Sequence, residues 1–273
     1  MSSASEILRR RSNAEYAIQL LLEQLDIVNV IHYACESFNN PKAENSPRIT
    51  VIAIKNMGSG QTDIFSIDME AERANIPASE IRENLDDLEC KMLCKFYDRV
   101  HMNKNYKWLH WNMRDATFGF NAIANRYKVL GKDPISIPDG QLCDLSQILV
   151  EIYGENYVGH SRMKTLLEFN GRMNSDFLTG EEEAAAFENG EYNRIRKSTQ
   201  RKTHEFEIIA KKAREKSLKT ENSLYSQYGW WLQTQMLIET VYAHWTFKLA
   251  VMVSVLYSIW NIAVFIFSAL NNT

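Results

Sequence analysis

The stretch RITVIAIK at residues 48–55 is the clearest strand signal in the chain. β-Branched residues dominate it, and segments rich in turn-forming residues bound it, NNPKAENSP at 39–47 and NMGSGQTD at 56–63. A second β-branched and aromatic stretch, IVNVIHYACESF, precedes it at 27–38, and IFSIDM follows it at 64–69. Because only short loops separate these segments, the sequence predicts an antiparallel meander of three strands.

Helical patterns surround this meander. Apolar residues at helical spacing predict one helix at residues 4–26 and another at 79–103, which starts from a cap at Ser79. YKWLHW at 106–111 then predicts a later strand. Strands mixed with helices predict an α/β fold, in which helices flank a sheet built from the meander plus the later strand. Further helices are predicted at 117–130, 141–153, 161–170, 180–188 and 191–217.

The composition restricts the class of protein. The chain has 273 residues, of which 45% are hydrophobic and 24% charged, and these fractions exclude both a disordered chain and a multi-span membrane protein. A net charge of −3 argues against a surface that binds nucleic acid everywhere, but it leaves a local basic patch open. The sequence contains no CxxC pair, Walker loop, GxGxxG, GxSxG or HExxH motif. Cys90 and Cys94 share one face of a predicted helix, and we interpret them as buried thiols.

The C-terminal segment LAVMVSVLYSIWNIAVFIFSAL at 249–270 carries no charge over 22 residues. About 20 apolar residues cross a membrane as a helix, so this segment predicts a single transmembrane anchor; a buried core helix is the alternative. Basic residues are frequent at 194–219, Lys248 precedes the segment, and no Lys or Arg follows it. The positive-inside rule therefore predicts a single-pass membrane protein with its soluble domain in the cytoplasm.

These signals divide the chain into four parts. We predict an N-terminal helix at 1–26, the α/β domain at 27–218, an amphipathic connector at 219–243 and the transmembrane anchor at 244–273. The connector is rich in Trp and Tyr. Such a segment either lies at the membrane interface or packs against protein, including a second copy in a homo-oligomer.

Three short motifs follow one another along the α/β domain. The first strand ends in Tyr33-Ala34-Cys35-Glu36-Ser37. The segment at 108–131 contains His110-Trp111-Asn112, then Phe118-Gly119, then Arg126. Tyr192 opens the last long helix of the domain, and Ile195 stands three residues later.

This order resembles the DEDD-type 3′–5′ exonucleases, which include the proofreading domain of B-family DNA polymerases. In that family a strand ends in Phe-Asp-Ile-Glu-Thr, and two further strands follow. A helix and a strand then lead to Tyr-Asn-x-x-x-Phe-Asp, with an Arg seven residues after the Asp, and Tyr-x-x-x-Asp comes late. The spacing from Gly119 to Arg126 matches, whereas the gap from Asn112 to Phe118 is two residues too long. The resemblance implies a ribonuclease-H-like domain over about 27–215.

The metal-binding carboxylates of that family are mostly absent from this chain. Two-metal cleavage needs several carboxylates around two cations. At the matched positions only Glu36 remains, because Ala34 and Gly119 offer no ligand atom and neither Ile195 nor Arg196, three and four residues after Tyr192, is an acid. The resemblance therefore implies a pseudo-exonuclease, and we predict a non-catalytic protein without a metal cofactor. The alternative is an active metal-dependent 3′–5′ exonuclease that holds Mg²⁺ or Mn²⁺ with rebuilt ligands. Its candidate catalytic residues are Glu36, Asp115 and Asp144.

Aromatic, basic and amide side chains concentrate in three segments of the predicted domain. Aromatic rings stack on bases, and Arg and Lys contact phosphates, so these segments predict binding of a nucleic acid or a nucleotide. Core packing and solvated helix faces are the alternatives. The predicted ligand-binding residues are Trp108, His110, Trp111, Asn112, Arg114, Arg126, His160, Arg162, Lys197 and Lys202.

Together with the tail, these motifs predict a membrane-anchored, non-catalytic protein that binds nucleic acid or nucleotide. Such a protein is compatible with a sensor or effector role in bacterial defence. A membrane effector or scaffold that forms homo-oligomers through its tail is the other alternative.

Overall fold

The structure is a computed structural model, and it describes residues 4–36, 47–114, 118–243 and 245–271. Most of the predicted loop at 39–47 and the candidate Asp115 lie outside the described residues. Within these ranges the chain has an α/β fold with one mixed five-stranded sheet and ten α-helices.

Five strands make up the sheet: β1 (Val28–Cys35), β2 (Ile49–Asn56), β3 (Thr62–Ser66), β4 (Lys107–His110) and β5 (Leu142–Asp144). Their order across the sheet is β3-β2-β1-β4-β5. The first three strands form an antiparallel meander, since β1 pairs with β2 and β2 with β3 in antiparallel register. β4 pairs with β1, and β5 with β4, in parallel register. The carboxyl ends of β1, β4 and β5 therefore lie at one end of the sheet.

Helices flank this sheet through two apolar clusters. Trp108 belongs to the first cluster and Leu109 to the second. Successive side chains of a strand point to opposite faces, so the two clusters lie on opposite faces of the sheet. The ten helices are α1 (Ala4–Glu23), α2 (Ile67–Arg73), α3 (Leu85–Met102), α4 (Phe120–Val129), α5 (Leu145–Tyr153), α6 (Arg162–Phe169), α7 (Gly180–Glu188), α8 (Tyr192–Arg214), α9 (Leu224–Ala243) and α10 (Trp245–Asn271).

Some predicted element boundaries are wrong. The predicted strand at 64–69 ends at Ser66, where α2 follows, and the predicted helix at 141–153 begins as strand β5. β5 has only three residues, and its pairing with β4 stabilises it. Local sequence periodicity does not predict such a long-range interaction. The predicted cap Ser79 lies inside a 3₁₀ segment, Ala78–Asn84, and α3 begins only at Leu85.

The predicted transmembrane helix is also wrong. The segment 249–270 lies in α10, whose side chains the structure describes at 248–263. Among the described residues, no helix has both the length and the apolar character needed to span a membrane. This finding overturns the predicted anchor at 244–273 and the single-pass membrane location that rested on it.

The connector predicted at 219–243 contains α9, whose first half packs on α1. Leu224 and Leu232 are buried, with Ile7 and Tyr228 packed against them. Gly229 has φ 60° and ψ −159° inside this helix, a conformation that produces a kink. The described contacts of the connector are therefore contacts with protein, made within one chain.

Candidate functional site

A cleft of about 310 Å³ lies at the carboxyl ends of β4 and β5, and we call it the β4–β5 cleft. β4 ends at His110 and β5 at Asp144, and these two residues are register partners. In open α/β sheets, ligands bind outside the carboxyl ends of the strands. The cleft is lined by Trp111, Asn112, Arg114, Ser146, Gln147, Val150, His160, Ser161 and Arg162.

Asp144 fixes one wall of the cleft. Its carboxylate caps α5 by accepting hydrogen bonds from the backbone N–H groups of Ser146, at 3.0 Å, and Gln147, at 3.4 Å. The same oxygen accepts the backbone N–H of Asn112 at 3.0 Å. Asn112 has φ 50°, in the left-handed region that Asn tolerates better than most residues. One carboxylate therefore ties the start of α5 to the turn after β4.

Arg114 projects from this wall. Its guanidinium forms an ion pair with Asp144 and donates a hydrogen bond to the side-chain oxygen of Gln147 at 3.3 Å. The side chain is 52% exposed. A guanidinium has five N–H donors, so Arg114 is oriented by its neighbours and still has donors for a ligand.

Residues at the start of α6 complete the lining. The Arg162 guanidinium donates to the backbone carbonyl oxygen of Glu155 at 3.0 Å, so its partner within the described chain is a carbonyl rather than a carboxylate. The backbone carbonyl of His160 accepts the hydroxyl of Thr165 at 3.1 Å, which anchors the backbone while the residue stays exposed. The cleft lining contains two guanidinium groups and no carboxylate, and the carboxylates of Asp144 and Glu151 accept hydrogen bonds from lining residues.

The hydroxyl of Tyr157 lies close to these charges. Tyr157 is fully buried, and its hydroxyl has no hydrogen-bond partner among the residues that the structure describes. Burial raises the pKa of this hydroxyl, while the charge of Arg162 lowers it and that of Asp144 raises it. Tyr157 belongs to the second apolar cluster and not to the cleft lining, so protein encloses its hydroxyl.

His110 lies beneath the cleft rather than in its lining. It is 1% exposed, and its Nδ1 accepts the backbone N–H of Met113 at 3.2 Å. Its ring packs edge-on against Phe120, with ring centroids 5.5 Å apart. Burial lowers the pKa of His110 to about 4; Asp144 opposes this effect and Arg114 adds to it. His110 is therefore neutral at pH 7.

The candidate catalytic carboxylates have separate partners in the described residues. Glu36 pairs with Arg48 at 3.5 Å and accepts its backbone N–H at 3.2 Å. Asp144 is engaged by Arg114 and by the start of α5. The third candidate, Asp115, lies outside the described residues. In the part of the chain that the structure describes, no group of three or more His, Cys, Asp or Glu side chains is placed to hold a metal ion.

Four other predicted binding residues lie away from the cleft lining. Trp108 is fully buried in the first apolar cluster, and Lys197 is exposed on α8. Arg126 and Lys202 are buried, and each forms an ion pair at 2.7 Å with a buried glutamate. These two cations therefore stabilise the interior and are not available to a ligand.

The structure thus brings five of the predicted residues together: Trp111, Asn112, Arg114, His160 and Arg162. Sequence reasoning missed the contributions of Ser146 and Gln147. One signal for both was present. An N-cap residue followed three positions later by Gln, as in Asp144 and Gln147, is similar to a capping box and marks a helix start at residue 145.

Comparison of the chain with protein-family models, with curated proteins and with solved structures gave no match.

Proposed function

We propose that this chain is a non-catalytic protein that binds a nucleotide or nucleic acid by holding phosphate in the β4–β5 cleft. One observation carries the proposal: Arg114 from one segment and His160 and Arg162 from another, more than 40 residues later, line a single cleft. The planar guanidinium group matches a phosphate with two parallel hydrogen bonds. A lining with two guanidinium groups and no carboxylate favours an anion.

Trp111 has a different role from the base-stacking platform suggested by the sequence. It is 7% exposed, and its ring stacks on Phe206 with the ring centroids 5.7 Å apart. Little of the indole is free to contact a base. Trp111 instead gives the cleft an apolar floor, which excludes water and strengthens the charged hydrogen bonds above it.

The same proposal includes a ribonuclease-H-like fold whose metal site has been lost. The order β3-β2-β1-β4-β5, with an antiparallel meander followed by two strands parallel to β1, supports it. Of the positions where the resemblance expects metal ligands, Ala34 is buried in the first apolar cluster, and Arg196, the fourth residue after Tyr192, pairs with Asp68 at 3.6 Å. The backbone N–H of Gly119 donates to the hydroxyl of Tyr33 at 2.8 Å. None of these three residues supplies a side-chain oxygen, which supports a non-catalytic role.

The test is a titration of labelled single-stranded DNA, RNA and ADP against the wild type and the variants Arg114→Ala and Arg162→Ala. A charge-assisted hydrogen bond contributes about 1.5–3 kcal/mol, so each variant is expected to bind about tenfold or more weakly. The affinity is also expected to fall as the salt concentration rises from about 50 to about 200 mM, because contacts with phosphate weaken as salt increases. Arg194→Ala, which removes an exposed arginine outside the cleft lining, should bind like the wild type.

Equal binding by the wild type and the cleft variants, or no binding of any phosphate ligand, would reject the proposal. The same samples incubated with Mg²⁺ or Mn²⁺ test its non-catalytic part. Progressive shortening of the oligonucleotide by the wild type, lost in Glu36→Gln, would favour the metal-dependent exonuclease instead.

A further inference from the structure

A second cavity, which we call the adjoining pocket, shares Arg114 with the β4–β5 cleft. Its volume is about 540 Å³, within the range of about 300–1,000 Å³ that is usual for small-molecule sites. Phe96, Met113, Phe120 and Ile123 give it an apolar floor, and all four belong to the first apolar cluster or pack against it. Residues 133–137, in the segment after α4, form its outer wall.

The two cavities differ in the charge of their linings. The lining of the β4–β5 cleft carries two guanidinium groups. The lining of the adjoining pocket includes two exposed carboxylates, Asp133 and Asp139, whose negative charge balances the positive charge of Lys128 and Arg114. Two carboxylates beside an apolar floor disfavour a phosphate and suit an uncharged, flat ring system. Exposed polar groups are also present in this lining, from Asn121 and Ser136, and these can bind the nitrogen and oxygen atoms at the edge of such a ring.

Arg114 sets the distance between the two cavities. Because Arg114 lines both of them, they are separated by no more than the reach of that one residue. One ribose spans a comparable distance between a nucleobase and its 5′ phosphate. An anion in the cleft and an aromatic ring in the pocket can therefore belong to the same small molecule.

We propose that the adjoining pocket holds the base of a nucleoside 5′-phosphate whose phosphates lie in the β4–β5 cleft. This inference rests on the proposed function and names the ligand class for the same site. Arg114 occupies the junction and binds the phosphate next to the ribose. Arg162, on the far side of the cleft, binds the outer phosphate. A ligand without a base fills only the cleft.

The test compares ADP with pyrophosphate by calorimetry, because both carry a diphosphate and only ADP carries a base. Burying one base against apolar side chains increases affinity at least about fivefold, so ADP is expected to bind the wild type that much more tightly than pyrophosphate. Ile135→Trp and Ala124→Leu narrow the adjoining pocket from two different walls at positions that are not buried. Each is expected to remove the advantage of ADP and to change pyrophosphate affinity less than about twofold.

Three further samples complete the design. Arg162→Ala should weaken ADP and pyrophosphate alike. Met102→Trp adds the same large side chain at a position that is 72% exposed and outside the pocket lining, and should bind both ligands like the wild type. A 5′-phosphorylated oligonucleotide that displaces ADP identifies a strand end as the source of the nucleotide, whereas failure to displace ADP identifies a free nucleotide.

The outcomes separate this inference from the proposed function. If ADP and pyrophosphate bind equally, with Arg162→Ala weakening both and the pocket variants changing neither, the base site is wrong and the phosphate cleft stands. If neither ligand binds the wild type, both proposals fail. A loss of ADP binding in Met102→Trp as large as that in Ile135→Trp would also overturn the base site.

Discussion

The buried histidine beneath the β4–β5 cleft is expected to make the stability of the fold depend on pH. The pKa of His110 is lowered to about 4 in the folded chain, whereas a histidine in an unfolded chain titrates near 6.5. Because the folded-state pKa lies below the unfolded value, the unfolded chain binds the proton first as the pH falls. The stability contributed by neutral His110 is therefore fully present above about pH 6.5 and is lost between about pH 6.5 and 4.

The magnitude follows from these two pKa values. A difference of about 2.5 pH units corresponds to ~3.4 kcal/mol, at about 1.36 kcal/mol per unit. At pH 5 the unfolded histidine is almost fully protonated and the folded one is mostly neutral, so about 2 kcal/mol of this stability is lost relative to pH 8. The charge of Arg114 lowers the pKa of His110, so Arg114→Ala should raise that pKa and reduce the loss.

The assay is urea unfolding of the wild type and His110→Asn at pH 8 and pH 5. The amide oxygen of Asn can accept the backbone N–H of Met113, which Nδ1 of His110 accepts now, but it does not titrate. The wild type is expected to lose about 2 kcal/mol more than the variant between the two pH values. His32 is also buried with a lowered pKa, but it is present in both proteins and cancels from the comparison. His101→Asn removes an exposed histidine and should behave like the wild type. Equal losses in the wild type and His110→Asn would refute the reasoning.

The buried ion pairs and the cap of α5 give three further predictions. Arg126→Met leaves Glu89 buried without its bidentate partner and should reduce the free energy of unfolding in urea by about 3–5 kcal/mol. Adding Glu89→Leu should recover most of this loss, and an Arg126→Met variant as stable as the wild type would contradict the prediction. Lys202→Met likewise leaves the carboxylate of Glu183 unpaired and should cost about 3 kcal/mol, whereas a loss below about 1 kcal/mol would mean that the pair is not buried in solution. Asp144→Asn keeps an acceptor for the start of α5 but removes the negative charge, so pyrophosphate should bind up to about fivefold more tightly in calorimetry. Weaker binding would show that the carboxylate contributes more by orienting Arg114 than it costs by repelling the ligand.

Local sequence patterns determined the strands and helices whose signals depend on neighbouring residues. The β-branched stretch at 48–55 forms β2, and the apolar stripe of the predicted helix at 79–103 forms α3 from Leu85 onwards. Gly131, the residue directly after the predicted helix at 117–130, has φ 77° and lies two residues after Val129, where α4 ends. These features were predictable because turn residues, helical spacing and β-branched runs act over a few residues.

The tertiary structure decided which of the candidate residues form a site. Arg126 and Lys202 are basic residues like Arg114 and Arg162, yet each is paired with a buried glutamate on another helix, and only folding brings each pair together. A short stretch of sequence carries no information about a partner 37 residues away. For the same reason β5, the strand order and the convergence of the two cleft segments were not visible in the sequence. Hydropathy also gave the wrong prediction for the tail. Among the described residues, no helix has both the length and the apolar character needed to span a membrane. The sequence therefore determined the local elements and the pool of candidate residues, and long-range strand pairing and burial selected the five that line the cleft.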